Sequence, residues 1–153
     1  PQPLDPSLEH ILAMSGKPFQ AFPGQDHKAH IDAHLSFMSI SMVQNNPMAM
    51  MSLQKNILEH ISLMAQEQIE IEFREELPKL AQMTQMMQQN PQNPQLQQEM
   101  RMLQEKIEGR KVDFIFDTKG NLVPPLVLTN LIQYNSKIQH PQNLKTKLFL
   151  QLK

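Results

Sequence analysis

The sequence predicts a mainly α-helical protein built from antiparallel helical hairpins of the bundle or coiled-coil kind. We expect a small basic C-terminal segment, α/β or irregular, to follow them. Three observations predict this. Four runs between residues 31 and 107 place apolar side chains three or four positions apart, which is the period of one helix face. Pro, Asn or Gly bounds each run, and these residues end helices or form turns. After Gly109 the pattern becomes β-prone and extended.

The first hairpin is predicted in residues 25–73. Asp26 can cap the opening turn of its first helix, and Asn45-Asn46-Pro47 should end that helix and start the second. The apolar face of the first helix is formed by Ile31, Leu35, Met38 and Met42. That of the second is formed by Leu53, Ile57, Ile61 and Met64. Because the connection is short, the two helices should run antiparallel with these faces in contact.

The second hairpin is predicted from helices over residues 79–89 and 95–108, with the polar stretch QQNPQNPQLQQ between them. Pro78 is expected to kink or break the chain before the hairpin. Gly109 is expected to end it as a C-cap.

Three regions follow from these patterns: a Pro-rich leader over 1–24, a helical hairpin module over 25–109, and a basic segment over 110–153. The leader contains a short helical patch, SLEHILAM, and should lie across a surface or stay mobile. The last region should contain hairpin-like strands and a short helix. Its predicted elements are a strand at 112–116, a turn at 117–121, the extended LVPPLVL, a helix at 128–138 and a strand at 144–152. Charge supports the division, since residues 1–108 carry a net charge of −6 and residues 109–153 carry +5.

Composition excludes several kinds of chemistry. The chain has no Cys, and no apolar run approaches the roughly 20 residues that span a bilayer. With 4 Gly it has no phosphate-binding loop, and no Ser stands in a nucleophile elbow. Few Arg residues argue against a strong nucleic-acid groove, although a Lys-rich C-terminal region leaves contact with DNA open. We therefore expect no enzymatic activity and no membrane contact.

Histidines form the sharpest candidate site. His27, His30 and His34 share one helix face, as metal ligands must. His60 or Glu59 on the facing helix could complete a Zn²⁺ site. The competing interpretation is structural: half-buried histidines at a helix interface, hydrogen-bonded to carboxylates or backbone.

A short internal similarity lies outside this site. The segment Leu8-Glu9-His10-Ile11 of the leader recurs as Leu58-Glu59-His60-Ile61. Either an internal duplication or chance in a Leu-, Met- and Glu-rich chain accounts for it.

Two stretches, GQDHKAHIDAHLSFM and VQNNPMAMMSLQKNILEHISLMAQEQIEIEF, carry a family resemblance. Over about residues 20–108 the chain resembles portal proteins of tailed bacteriophages, the head-to-tail connectors through which DNA enters and leaves the capsid. The resemblance implies a fragment of a longer, non-enzymatic subunit that forms a ring in the virion. It transfers no functional residue to a named position, and it does not extend beyond Lys111.

Three functions remain open from the sequence. The leading one is a structural, oligomer-forming module related to phage portals, which assembles with itself and other virion proteins in the host cytoplasm. The second is a small cytoplasmic metal-binding helical protein, in one version a hydrolase, that uses His27, His30 and His34. The third is a helical adaptor that binds a partner helix in a Met-rich groove.

Overall fold

The predicted mainly α-helical fold is confirmed by a computed structural model, which describes residues 1–122 and contains no strand within that range. The helices are α1 (Pro6–Met14), α2 (His27–Met38), α3 (Ser41–Gln44), α4 (Pro47–Glu72), α5 (Glu76–Gln89) and α6 (Pro94–Leu122). None of the helices in the described residues is long and apolar enough to cross a membrane. The extended LVPPLVL, the helix predicted at 128–138 and the strand predicted at 144–152 lie outside the described residues.

The chain divides into two compact units, each with its own packing. The first comprises Pro1–Met64 together with the described residues from Phe116 onward, and the second comprises Ala65–Ile115. The candidate site lies wholly in the first unit.

Helices α2 and α4 form the antiparallel hairpin that the sequence predicts. His27 near the start of α2 meets His60, whereas His34, about two helical turns later, meets Asn56, about one turn earlier in α4, so the two helices run in opposite directions. The Asp26 side chain accepts a hydrogen bond from the Ala29 amide at 3.1 Å, as expected of an N-cap. The apolar core of this unit is fully buried and includes Ile31, Val43, Leu53, Ile57 and Ile61.

One predicted boundary of this hairpin is wrong. The first helix ends at Met38 rather than at Asn45, and the short α3 follows. At this break the Ser39 hydroxyl donates to the Ser36 carbonyl at 2.6 Å, and the Ser39 amide donates to the same carbonyl at 3.2 Å. These local bonds tighten the last turn and redirect the chain. As a result Met42, predicted in the apolar face, is 66% exposed and Val43 is buried in its place.

The Pro-rich leader also differs from its prediction, because it contributes buried side chains rather than only lying on a surface. Pro6 begins α1, and the Asp5 carboxylate caps it by accepting from the Ser7 amide at 2.9 Å. Two residues of α1, Glu9 and Ala13, are buried. The short helical patch that the sequence predicts in the leader is therefore present, and what its Pro-rich composition did not predict is the burial of Glu9.

The second unit packs the end of α4 with α5 and α6 around Ile69, Phe73 and Ile107. Partly buried Leu77, Leu80 and Leu103 complete this cluster. The chain breaks over residues 73–75, before Pro78. Pro78 lies in the first turn of α5, where a backbone N–H would have no partner within the helix.

The predicted end of α6 at Gly109, the strand at 112–116 and the turn at 117–121 are all wrong, since α6 continues to Leu122. Helical spacing persists past the glycine, and the buried residues of α6 are Leu96, Ile107, Ile115 and Thr118. Arg110 also donates two hydrogen bonds of 2.8 Å to the Glu72 carboxylate. A helical Gly costs about 1 kcal/mol relative to Ala, which these contacts outweigh. The β-preference of Val112 and its neighbours is likewise overridden by packing.

Candidate metal centre

Five of the six histidines of the chain gather around one buried carboxylate in the first unit. They come from α1, α2 and α4, and His140 lies outside the described residues. The members of this histidine cluster are Glu9, His10, His27, His30, His34 and His60.

The helices place these side chains for simple reasons. Residues three, four and seven apart share one helix face, so His27, His30 and His34 all point from α2 toward the same side. The antiparallel α4 brings His60 opposite His27, with 2.8 Å between their Nδ1 atoms. Glu9 arrives from α1 on a third side.

Glu9 is the centre of the cluster and is fully buried. Its Oε1 lies 3.3 Å from His30 Nε2 and 3.6 Å from His34 Nε2. Neither carboxylate oxygen makes a hydrogen bond to any part of the chain that the structure describes, and neither does the buried His60 Nε2. Such buried groups are rare in proteins and need an explanation.

Glu9, His34 and His60 each offer one ligand atom, and these atoms lie within 4.8 Å of one another. Zn²⁺ bonds of about 2.0–2.1 Å in a tetrahedron separate neighbouring ligand atoms by about 3.3 Å. The 3.6 Å between Glu9 Oε1 and His34 Nε2 is close to that separation. The other separations, of up to 4.8 Å, would have to shorten by as much as about 1.5 Å for the three atoms to bind one ion, and a fourth ligand position would stay open.

The far nitrogen of each histidine beside Glu9 is held by a partner. His34 Nδ1 lies 2.9 Å from His10 Nε2, and His60 Nδ1 lies 2.8 Å from His27 Nδ1. His10 in turn stacks on Phe37, with ring centroids 4.1 Å apart. Hydrogen bonds at the remote ring nitrogen are what orients metal-binding histidines.

His30 is held differently. Its Nδ1 lies 3.0 Å from the Asp26 carbonyl oxygen, and its Nε2 lies 3.1 Å from the Leu4 carbonyl oxygen. Each ring nitrogen thus lies within hydrogen-bonding distance of a backbone carbonyl, and His30 flanks the group of three ligand atoms, to which it does not belong.

Burial sets the protonation of the cluster. It raises the pKa of Glu9 to about 7, against the opposing attraction of the His30 ring. It lowers the pKa of His34 to about 4 and, with the repulsion of neighbouring histidines, that of His60 to about 3. Desolvation disfavours the charged form in each case. His34 and His60 are therefore neutral at pH 7, the form in which imidazole binds metals.

The sequence predicted His27, His30 and His34 as ligands, with His60 or Glu59 as a further one. The structure brings the four histidines together, but only His34 and His60 belong to the group with Glu9, whereas His27 contacts His60. Glu59 instead accepts a hydrogen bond from the Ala21 amide at 2.9 Å. Metal binding itself stays a prediction.

Sequence reasoning missed Glu9. The one signal that pointed to it was the recurrence of Leu-Glu-His-Ile at residues 8–11 and 58–61, because both copies supply a member of the group. The two copies bury different positions: Glu9 in the first and His60 in the second.

Comparisons of this chain with protein-family models, with curated proteins and with solved structures found no match. The resemblance to phage portal proteins accordingly stays a prediction.

Proposed function

We propose that the first unit binds one divalent transition-metal ion, Zn²⁺ by preference, through Glu9, His34 and His60. The ion joins α1, α2 and α4 and serves a structural role. The observation that carries this proposal is the Glu9 carboxylate, which is fully buried and has no hydrogen-bond partner among residues 1–122.

A metal ion accounts for atoms that the structural interpretation leaves unexplained. Hydrogen bonds to backbone or side chains do explain His27, His30 and His34. They leave both oxygens of the buried Glu9 without a hydrogen bond, although Oε1 lies 3.3 Å from His30 Nε2, and a buried carboxyl group without hydrogen bonds is destabilising. Coordination would satisfy a Glu9 oxygen and His60 Nε2 together.

The donor set favours Zn²⁺ over the hard cations. Imidazole nitrogen suits Zn²⁺ and its neighbours in the first transition series, whereas Ca²⁺ and Mg²⁺ prefer sites made of oxygen. His34 must give up its 2.8 Å contact with the Asn56 side-chain oxygen to turn its Nε2 toward the ion. The three ligand residues are buried completely, which fits a closed structural site better than a catalytic one that must admit substrate.

Metal content after dialysis tests the proposal. The protein is loaded with Zn²⁺, dialysed against metal-free buffer at pH 7.5 and analysed by elemental mass spectrometry. We expect one equivalent in the wild type and none in His34→Gln/His60→Gln. Glu59→Gln is the matched control, because it alters the Glu of the second Leu-Glu-His-Ile copy outside the ligand group, and it should retain one equivalent. A metal-free wild type, or a double variant that retains the ion, would refute the proposal.

A second function, self-association, is favoured by a separate observation. Four large apolar side chains in the segment 40–51 are exposed by 44–66%: Ile40, Met42, Met48 and Met51. Met-rich surfaces adapt to varied partners, and clustered exposed apolar side chains mark interaction sites. The resemblance to ring-forming portal proteins supports the same proposal.

Sedimentation velocity tests self-association. If the segment 40–51 mediates it, Met42→Gln/Met48→Gln should shift the protein toward the monomer at a given concentration. Met86→Gln/Met102→Gln, which alters two exposed Met residues of the second unit, should leave the distribution unchanged. A wild type that is monomeric at all concentrations would rule this second function out.

A further inference from the structure

We propose that α1 is a metal-dependent latch, held firmly on α2 when the ion is bound and opening often when the ion is removed. This inference rests on the metal site proposed above and concerns what the site controls. The N-terminal helix would be held chiefly by Glu9, while the α2–α4 hairpin folds without it.

Helix α1 has little else to hold it. It is 9 residues long, shorter than the roughly 12–15 residues at which isolated helices become even marginally stable. Of its four large apolar side chains, Leu8 is 49% exposed and Ile11 is 62% exposed, and Leu12 and Met14 are only partly buried. Of its residues only Glu9 and Ala13 are buried, and Ala13 buries little apolar surface.

Apart from Glu9, α1 and Leu4 before it make few polar contacts, whereas the later part of the leader is held separately, by the hydrogen bond of the Ala21 amide to Glu59 and by the contact of Phe19 with His34. His10 hydrogen-bonds to His34 at 2.9 Å and stacks on Phe37. The Leu4 carbonyl accepts from the His30 ring at 3.1 Å, and the Met14 sulfur lies 3.9 Å from the Asn46 amide nitrogen. Each of these hydrogen bonds can be exchanged for a hydrogen bond to water at small net cost.

Glu9 therefore determines how firmly α1 docks. Its contribution to the free energy of docking is unfavourable without the ion and favourable with it. Without metal, docking buries a carboxyl group that has no hydrogen-bond partner in residues 1–122, and this opposes docking. With metal, the same group becomes a ligand and favours docking. The α2–α4 interface does not depend on the ion in this way, because it contains the fully buried apolar side chains of Ile31, Leu53 and Ile57.

Amide hydrogen exchange on the full chain tests the latch. In EDTA, we expect the amides of α1 to exchange much faster than those of residues 53–61, which stay protected. One equivalent of Zn²⁺ should slow exchange in α1 by about tenfold or more, because local opening then requires loss of the ion. In Glu9→Gln, exchange in α1 should be the same with and without Zn²⁺.

The outcomes separate the latch from the metal site. If Zn²⁺ binds stoichiometrically yet α1 exchanges at the same rate in EDTA, the latch is wrong and the metal site stands. If chelation removes protection from α1 and from residues 53–61 together, the ion holds the whole unit and the latch is again wrong. If Zn²⁺ does not bind to the wild type, both proposals fail.

Discussion

Burial and ionisation oppose each other at Glu9, His34 and His60. Each group sits where water cannot solvate its charged form, and each pKa moves toward the neutral form: upward for the carboxyl and downward for the imidazoles. At pH 7 both imidazoles are neutral and the carboxyl, with a pKa of about 7, is only half ionised, so these three groups together carry less than one full charge and the metal-free cluster can persist. The same neutrality leaves both rings ready to bind an ion.

We predict that metal-free protein loses stability as pH falls from 6.5 to 4.5. In this range the unfolded chain protonates His34 and His60, whose folded pKa values are about 4 and 3. The folded chain instead keeps a proton on Glu9, with its folded pKa of about 7, which the unfolded chain loses above pH 4.5. The unfolded state thus binds about one proton more, and the free energy of unfolding should fall by about 1.4 kcal/mol per pH unit. Urea unfolding in EDTA at pH 6.5, 5.5 and 4.5 measures this.

The variant Glu9→Gln provides the control for this pH dependence. Removing the carboxyl removes the opposing proton, so the decline should become about twice as steep. A stability that stays level or rises on acidification of the wild type would show that the histidines are not buried as described.

How much of the site could be predicted differs from residue to residue. The proximity of His27, His30 and His34 follows from spacing on a single helix, and the approach of His60 follows from a short hairpin connection. Glu9 could not be placed, because its contact with α2 is distant in the chain and depends on how a Pro-rich segment folds back. Non-local contacts of this kind leave no periodic signal in the sequence.

At the level of the elements, local preference and packing compete most clearly in α6. Helical spacing predicted where α6 begins. Its end was predicted at Gly109, because a glycine that can cap a helix is followed there by a β-prone run. Helical Gly109 lacks the positive φ of a cap, which among the described glycines only Gly16 and Gly24 adopt. The Arg110 contact with Glu72, distant in sequence, stabilises the continuation.

We predict that Gly109→Ala stabilises the protein. An added Cβ would meet no atom within 4 Å, and Ala is favoured over Gly inside a helix by about 1 kcal/mol. The melting temperature should therefore rise by a few degrees. A clear fall would instead indicate a left-handed cap at this position, as the sequence first predicted. Gly24→Ala is the contrasting variant, since φ is +81° there and Ala should destabilise.

We also predict that Ile57→Asp and Ile61→Asp are far more disruptive than Gln95→Asp. Both isoleucines are fully buried, so each change places an unpaired charge in the α2–α4 interface at a cost of several kcal/mol. Gln95 is exposed in the first turn of α6, where an added carboxylate is neutral or mildly favourable. Chemical denaturation of the three variants measures the difference, and equal stabilities would show that the buried face of α4 is misassigned.

At the scale of the whole molecule, the first unit has a modest apolar core that shares its interior with polar groups. Glu9, His34, Asn56 and His60 are among its most deeply buried side chains. Polar groups in such positions are destabilising unless they are satisfied, so the stability of this unit should depend on what satisfies them. A bound ion would act on the folded state alone and stabilise it by mass action.

Thermal unfolding with and without metal tests this account most directly. The full chain is heated at pH 7.5 in EDTA, and again with Zn²⁺ at about 100 times the dissociation constant, where binding adds about 2.7 kcal/mol to the free energy of unfolding. The melting temperature should rise by several degrees with Zn²⁺ in the wild type and stay unchanged in His34→Gln/His60→Gln. Equal melting temperatures of the wild type in EDTA and in Zn²⁺ would contradict the account and leave the histidines as a purely structural cluster.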